Sequence, residues 1–146
     1  MLHSNDLHNV CSAKRVIAPA AIGANATKTG AIVDRLGFGG VEFIACYGAV
    51  TTTGTNVALT VFEGDVTGTM TSVADADLLG TEALASLLAT TPRTSGVSKN
   101  VAKRVGYKGI RRYVRVDAVQ TGTTSVGCID VSAVLFNPSI APTANP

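Results

Sequence analysis

The sequence is poor in charge and in aromatic residues. Of its 146 residues, 15% are charged, 5% are aromatic and none is tryptophan, whereas 46% are hydrophobic. A disordered chain needs low hydrophobicity with high net charge, and a coiled coil needs abundant Glu, Lys, Leu and Arg, so both classes are excluded. No apolar run approaches the ~18 residues of a membrane-spanning helix. The length predicts one domain, and the scarcity of charge favours an assembly protein over a free enzyme.

Cysteine is also scarce, and its pattern excludes a zinc-ligand motif. The three residues Cys11, Cys46 and Cys128 are odd in number and widely spaced. Cys46 and Cys128 lie in strand-like segments, and we expect the cysteines to be small buried hydrophobes. A bridge between those two would need adjacent strands, which the sequence does not determine. The first residues lack the basic and apolar regions of a secretory signal, which predicts synthesis in a reducing cytosol.

Catalytic motifs are missing. His3 and His8 are the only histidines; their spacing matches no common metal pair, and we expect both to be exposed. Gly37–Gly40 has the wrong spacing for a dinucleotide fingerprint. Asp75 and Asp77 could offer oxygens to calcium, but the closing Glu of an EF-type loop is absent, so a role in a turn or helix start is favoured. The sequence therefore predicts no enzyme, no cofactor and no metal.

Short apolar runs separated by Gly, Thr and Asn predict about eight strands. The predicted strands are Lys14–Ala18 (ending at Pro19), Gly30–Arg35, Val41–Val50, Val57–Glu63, Val66–Val73, Val97–Tyr107, Arg112–Val119 and Val126–Phe136. Val41–Val50 is apolar on both faces, which predicts a central strand. The strand at 112–119 places Val114 and Val116 in the core, and Val105 joins them from the preceding strand. Strands with Gly- and Thr-rich turns and no alternating helices predict an all-β, antiparallel, jelly-roll-like β-sandwich.

The chain divides into an arm, a sandwich and a tail. Residues 1–13 are polar and irregular and form a predicted N-terminal arm, and residues 14–136 form the β-sandwich. One short helical excursion is predicted near residues 75–89, where leucines recur but glycine interrupts. Residues 137–146 form a Pro-rich tail, which its prolines keep out of a sheet interior.

Charge is distributed unevenly along the chain. Residues 36–92 contain six acids and no base, whereas residues 93–115 contain eight bases and no acid. Three interpretations are open: the two stretches pair within the fold, the basic edge meets an acidic patch on a partner, or it binds nucleic acid. A pI near 8.5 and few aromatics disfavour nucleic acid. The candidate interface residues are Lys103, Arg104, Arg111, Arg112, Tyr113 and Arg115.

One segment carries a resemblance to a known family. Residues 101–116 read VAKRVGYKGIRRYVRV, follow the motif ADLLG at residues 76–80 and precede a final strand that ends near Pro138. In this order the pieces resemble small virion proteins of tailed bacteriophages, the capsid decoration or cement proteins, across most of residues 14–140. The resemblance implies a non-enzymatic β-sandwich, made in the host cytoplasm, that stabilises the outer capsid surface through the major capsid protein and through copies of itself.

Two alternative functions are open. The first is a head–tail connector or another minor virion component. The second is a carbohydrate-binding β-sandwich used in host attachment, which the absence of tryptophan and the presence of only three tyrosines disfavour. No membrane partner is expected, because no segment is long and apolar enough to enter a bilayer.

Overall fold

Alternating apolar residues build two antiparallel sheets that pack face to face. The computed structural model describes residues 6–50, 54–88, 100–122 and 126–143. The strands are β1 (Cys11–Ile22), β2 (Thr27–Thr29), β3 (Val33–Asp34), β4 (Phe38–Tyr47), β5 (Asn56–Val66), β6 (Thr69–Ser72), β7 (Leu78–Leu79), β8 (Leu87–Leu88), β9 (Val101–Tyr107), β10 (Tyr113–Thr121) and β11 (Val126–Pro138). A 3-10 turn spans Asp75–Asp77, and the helix α1 spans Glu82–Ala85.

The strand order is that of a jelly roll. Sheet A has the order β1-β11-β4-β9-β7, and sheet B has the order β2-β10-β5-β6, with β3 also paired to β10 and β8 to β5. The chain therefore crosses between the sheets, and β4 is central in sheet A as expected. The predicted antiparallel β-sandwich is confirmed, with one short helical excursion.

The core lies between the two sheets, where every second side chain points inward. On β4, the inward residues Val41, Phe43, Ala45 and Tyr47 are at most 2% exposed. Val105, Val114 and Val116 are fully buried, which confirms their predicted placement. Burying each such side chain contributes about 1.5–3 kcal/mol.

The first strand is longer than the sequence predicts. Instead of spanning Lys14–Ala18, β1 begins at Cys11, passes through Pro19 and ends at Ile22. Its register with β11 shifts between Ile17 and Ala20, so the proline lies in a bulge. An edge strand tolerates proline because one side of its ladder needs no N–H donor. Three residues assigned to the predicted arm therefore belong to sheet A.

Other predicted bounds are also corrected by long-range contacts. The predicted strand Gly30–Arg35 is reduced to Val33–Asp34, and a second short strand, Thr27–Thr29, precedes it. Gly30 separates the two: its N–H donates to Asp117 Oδ1 at 3.1 Å, and a Cβ there would lie 2.2 Å from a β10 carbonyl.

The last strand is also longer than the sequence predicts. β11 continues past Phe136 to Pro138, which lies opposite Phe38, so two residues of the predicted tail extend the strand. Pro138 occupies the strand's end, where a missing donor interrupts no interior ladder.

The helical excursion is brief because its residues pair with both sheets. The side-chain oxygen of Thr81 caps α1 by accepting from Leu84 N at 3.1 Å. The helix ends at Ala85, and Leu87–Leu88 then pairs with β5. Residue 89, the last of the predicted excursion, lies outside the described residues, as do residues 97–99 of the predicted strand Val97–Tyr107. Among the helical residues described, no segment is long and apolar enough to cross a bilayer.

Candidate functional site

The part of the basic stretch that follows β9, residues 108–112, lies at one end of the sandwich. There, four segments come together: the β3–β4 turn (35–37), the β5–β6 turn (67–68), the β9–β10 loop (108–112) and the C-terminal segment (139–143). We call these four segments the hairpin end.

The six candidate interface residues do not form one surface. Arg111 and Arg112 lie in the β9–β10 loop, and Tyr113 and Arg115 follow on the outward face of sheet B. Arg104 lies on the outward face of sheet A, and the neighbouring Lys103 donates from Nζ to the Ser86 carbonyl at 2.6 Å. They separate because β9 and β10 belong to different sheets and neighbouring residues on a strand point to opposite faces.

The loop arginines pair with acids of the same chain. Arg112 donates two hydrogen bonds to the Asp34 carboxylate, from Nε to Oδ1 at 3.0 Å and from Nη2 to Oδ2 at 2.7 Å. Arg111 donates one hydrogen bond from Nη1 to Asp65 Oδ2, and the Arg112 backbone N–H donates to Asp65 Oδ1 at 3.4 Å. The hydrogen bonds from these arginines lower the pKa of Asp34 and of Asp65. Asp65 belongs to the acidic stretch 36–92 and Asp34 lies just before it, so the Arg111–Asp65 pair joins the acidic and basic stretches within the fold.

Two further ion pairs lie on the sheet faces. Arg115 Nη2 donates to Asp117 Oδ2 at 3.0 Å, and its guanidinium carbon lies 4.9 Å from the centre of the Phe62 ring. Arg104 Nε lies 3.6 Å from Glu42 Oε1 on the opposite face of the molecule. Burial raises the pKa of Glu42 in spite of this neighbouring guanidinium.

Arg35 organises this end, although no sequence pattern marks it. Its Nε and Nη2 donate to the carbonyls of Arg111 and Gly109, which lie on either side of Ile110. Its Nη1 donates to the carbonyl of Gly39 at 3.2 Å. One planar guanidinium therefore ties the β9–β10 loop to the start of β4, which a lysine could not do with the same geometry.

Tyr107 supports the same arrangement from the core. Its ring is fully buried, and the Arg35 guanidinium carbon lies 5.2 Å from the ring centre. The hydroxyl donates to the Glu63 carboxylate and accepts from the Arg111 N–H at 3.0 Å. Burial, and then the hydrogen bond to Glu63, raises the pKa of Tyr107, so the phenol keeps its proton.

The N-terminal and C-terminal segments bind one another at this end. Thr143 donates its N–H to the Asn9 carbonyl at 2.9 Å and its hydroxyl to the Cys11 carbonyl at 2.6 Å. Ser139 N–H donates to the Gly37 carbonyl at 2.8 Å. These bonds fix the described part of the predicted tail against the first strand and the β3–β4 turn.

The cysteines correct a sequence prediction. Cys46 and Cys128 are exposed, Cys11 is partly buried, and all three are free thiols. Cys46 lies opposite Asp130, and Gly48 donates to the Cys128 carbonyl at 2.7 Å, so the two exposed cysteines occupy neighbouring strands. The prediction of burial was wrong for Cys46 and Cys128 because both lie on the outward face of sheet A. No third layer of the described chain packs on that face at these two residues.

The remaining candidate ligands are dispersed. Asp75 and Asp77 form the 3-10 turn, which confirms a role in local structure. His8 is exposed, and His3 lies outside the described residues. Across residues 6–50, 54–88, 100–122 and 126–143, no three His, Cys, Asp or Glu side chains are grouped as metal ligands.

Comparison with known proteins establishes the fold. No protein-family model and no curated protein sequence matches the chain. Among solved structures, the PBSX exported protein XepA matches 100% of this chain with a TM-score of 0.58 at 16% identity, and this chain spans 43% of the XepA chain. The PRD1 vertex protein P5 matches 88% of this chain and 98% of its own, at 13% identity and a TM-score of 0.46.

A structure solved with a bound oligosaccharide has the same TM-score as the PRD1 protein. TmCBM61, solved in complex with beta-1,4-galactotriose, matches 86% of this chain and 82% of its own, at 14% identity and a TM-score of 0.46. At 16% identity, the likeness to XepA shows the fold alone and leaves the function to the site itself.

Proposed function

We propose that this chain is a non-enzymatic structural protein of a bacteriophage virion that decorates the outer capsid surface. In this role it stabilises the shell by contacts with the major capsid protein and with neighbouring copies of itself. A protein of this kind performs no chemistry, so its ionisable residues serve to hold a binding surface in shape.

The observation that carries the proposal is the use of the basic stretch within the fold. Arg104, Arg111, Arg112 and Arg115 each pair with a carboxylate of the same chain. Acids and bases arranged for catalysis converge on a cleft that takes a substrate. Here, three of the pairs instead join one turn or strand to another, and the Arg115–Asp117 pair lies within β10, which supports a structural role.

Two similarities support the virion context. The sequence segment that resembles phage decoration proteins, residues 101–116, is the segment that forms β9, the β9–β10 loop and the start of β10, with their arginine pairs. The fold of this chain matches 43% of the XepA chain, and XepA is an exported protein of PBSX. The interface candidates remain candidates, because paired arginines at half-exposed positions are still accessible to a partner.

Binding in many copies suits a surface of modest strength. Exposed ion pairs contribute about 0–1 kcal/mol each, so a single contact through them is weak. A protein held by several neighbours on a repeating lattice gains from effective concentration, which converts weak contacts into stable occupancy.

The test is the copy number of the chain in purified virions, measured by quantitative mass spectrometry against the major capsid protein. We expect a number comparable to that of the major capsid protein, and cryo-electron microscopy should place the chain outside the shell. A number near that of a single connector ring would instead identify a head–tail component.

Absence from purified particles would reject the virion role. In that case, binding to a glycan array would favour the carbohydrate-binding alternative. Selective removal of the chain, followed by heating of the particles, adds a functional measurement: shells without it should open at a lower temperature.

A further inference from the structure

The two edges of sheet A carry opposite charge. One edge is β1, and the other is β7 together with the 3-10 turn that precedes it. The strands β11, β4 and β9 lie between them. The four gaps between adjacent strands, each about 4.8 Å, put the two edges roughly 19 Å apart. We call them the β1 edge and the β7 edge.

The β1 edge is basic. Lys14 and Arg15 are exposed and line one cleft beside β3. Neither of them forms an ion pair with any residue that the structure describes. Asp34 lines the same cleft, but its carboxylate already accepts two hydrogen bonds from Arg112. The cleft therefore presents two positive charges that no carboxylate of the described chain balances.

The surroundings of this cleft do not cancel its charge. Lys28 lies on β2, which contacts β1, and it also forms no ion pair within the described ranges. Asp130 lies on β11, two residues from Ser132, the residue opposite Arg15. The structure places no ion pair between Asp130 and Arg15. The β1 edge consequently carries an excess of positive charge.

The β7 edge is acidic. Asp75 is exposed and Asp77 is partly buried in the 3-10 turn, and neither forms an ion pair with another described residue. Glu82, at the start of α1, accepts from the uncharged Val61 N–H at 2.5 Å. The neighbouring base is Lys108, whose N–H donates to the Asp77 carbonyl at 2.9 Å. Its single charge leaves the three acids in excess.

The strand register places the two edges at the same height of the sheet. One row of paired residues crosses the whole of sheet A and consists of Leu79, Gly106, Glu42, Val134 and Ala13. Lys14 directly follows the residue at one end of this row, and Asp77 lies two positions before the residue at the other. A second copy displaced sideways along the row therefore brings its β7 edge beside the β1 edge of the first copy.

Both edges also offer aliphatic groups. Ile32 and Leu36 are exposed and line the cleft of Lys14 and Arg15. Leu79 and Leu84 are exposed and line a second cleft, beside the β7 edge. A contact between the two edges would pair charges and bury aliphatic surface together, which adds a term that salt does not screen.

The occupant that fits each edge is another copy of this chain. Within one molecule the two sets of charges cannot meet, because roughly 19 Å is far beyond the reach of a lysine and an aspartate side chain. Complementary surfaces at two different places on one molecule form a heterologous contact, in which every copy uses both surfaces. Charge complementarity fixes the partner and its orientation.

We infer that copies of this chain associate head to tail, with the β1 edge of one copy against the β7 edge of the next. This inference rests on the proposed function, in which copies are neighbours on a shell, and it names the surfaces by which they meet. The acids come from the acidic stretch 36–92, as one interpretation of the sequence expects, but the bases come from β1 and not from residues 93–115. Contacts of this type continue along a lattice or close into a ring.

The first experiment traps the contact in solution with a water-soluble carbodiimide. The reagent activates a carboxylate, and the amine of a touching lysine displaces it as a urea to form an amide. In an equal mixture of unlabelled and ¹⁵N-labelled protein, a cross-linked pair with one label of each kind comes only from two copies. We expect mixed pairs that join Lys14 to Asp75 or Asp77. Their yield should fall as NaCl rises from about 0.1 M to about 1 M, which shortens the Debye length from ~10 Å to ~3 Å.

The second experiment exchanges the charges and measures the association constant by sedimentation velocity at low salt. Lys14→Glu with Arg15→Glu makes both edges acidic, and Asp75→Lys with Asp77→Lys makes both basic. Each variant alone should associate about tenfold more weakly or less, since ~1.4 kcal/mol corresponds to tenfold. An equal mixture of the two variants should recover the original association, because each edge again meets its opposite charge.

The matched control is Arg111→Glu with Arg112→Glu, which makes the same change in net charge at the hairpin end. It breaks the pairs with Asp65 and Asp34, so it should melt at a lower temperature and still associate like the original chain. Circular dichroism should show all three variants folded.

Three results would overturn the inference: no mixed-label cross-link in the original chain, no recovery in the mixture of folded variants, or equal weakening by the control. None of them bears on the copy number of the chain in virions, which tests the proposed function separately. A chain absent from virions would reject the virion role, whatever its association in solution.

Discussion

The two ends of the sandwich are held together by different chemistry. At the hairpin end, side chains of Arg35, Arg111 and Arg112 join segments far apart in the sequence. At the other end, which we call the neutral end, the described residues 23–26, 48–50, 54–55 and 121–122 include no charged side chain. There, backbone groups bond directly: Gly127 N–H donates to the Ala49 carbonyl at 3.0 Å.

The difference shows two ways to close a β-sandwich. A guanidinium can bridge segments that do not touch, because its donors reach several carbonyls at once. Small residues instead let backbones approach: a Cβ on Gly127 would lie 2.6 Å from the Ala49 carbonyl oxygen. At the hairpin end, Ile110 lies between the two residues whose carbonyls Arg35 binds, and it is 89% exposed.

The largest expected effect tests whether both ends depend on one core. Val114 is fully buried on β10, a strand that runs from one end to the other. Val114→Asp should abolish cooperative folding, because an unpaired buried charge costs several kcal/mol against a total stability of about 5–15 kcal/mol. The control Val119→Asp, on the outward face of the same strand, should stay folded. A soluble Val114→Asp protein with a cooperative thermal transition would contradict this strand's placement.

The next effect should be confined to the hairpin end. Arg35→Ala leaves the carbonyls of Gly109 and Arg111 without their charged donor and should cost about 2–3 kcal/mol in the free energy of unfolding, measured by urea denaturation. Arg35→Lys should recover only part of this loss, because an ammonium lacks the planar fork. Full recovery by lysine would show that charge alone, without the fork, organises this end.

A smaller effect is expected at the neutral end. Gly127→Ala should lower the free energy of unfolding by about 1–3 kcal/mol, since the new methyl group forces two backbones apart. Gly68→Ala is the control at the hairpin end, where a Cβ meets nothing within 4 Å, and it should change stability by less than about 0.5 kcal/mol. Equal effects of the two substitutions would remove the proposed difference in how the ends are packed.

Sequence patterns predicted the parts of the fold that depend on local alternation. Period-two hydrophobicity identified β4 and its inward face, and the same rule placed Val105, Val114 and Val116 correctly. The rule failed for Cys46, which is exposed. Hydrophobicity indicates that a residue can be buried, but it does not predict whether another layer packs on that face of the sheet.

Features set by distant contacts were not predictable. Thr27–Thr29 has no apolar pattern and becomes a strand only by pairing with β10. Arg35 organises the candidate site by binding carbonyls that lie more than 70 positions later in the chain. No local signal marks such a partner, so the sequence drew attention to the arginines of residues 93–115 and missed the one that positions them.

The smallest expected effect concerns pH and should again separate the two ends. The arginine hydrogen bonds hold the pKa of Asp34 and of Asp65 below the usual range. A carboxyl with a lowered pKa in the folded state contributes stability above its unfolded pKa, near 4, and this stability is lost as the pH falls through the folded value. Acid should therefore loosen the hairpin end selectively.

The free energy of global unfolding would not isolate this effect. Burial raises the pKa of Glu42, so Glu42 stabilises the folded state as the pH falls and opposes the change at the hairpin end. Amide hydrogen exchange, corrected for its intrinsic pH dependence, resolves the two ends. Between about pH 5 and pH 3, protection should fall at the Arg112 and Ser139 amides and persist at the Gly48 and Gly127 amides. The double variant Asp34→Asn, Asp65→Asn should show lower protection at the hairpin end that no longer changes with pH. The described residues of the neutral end contain no group that titrates in this pH range. An equal loss of protection at both ends of the original chain would therefore mean that these ion pairs do not set the stability of the hairpin end.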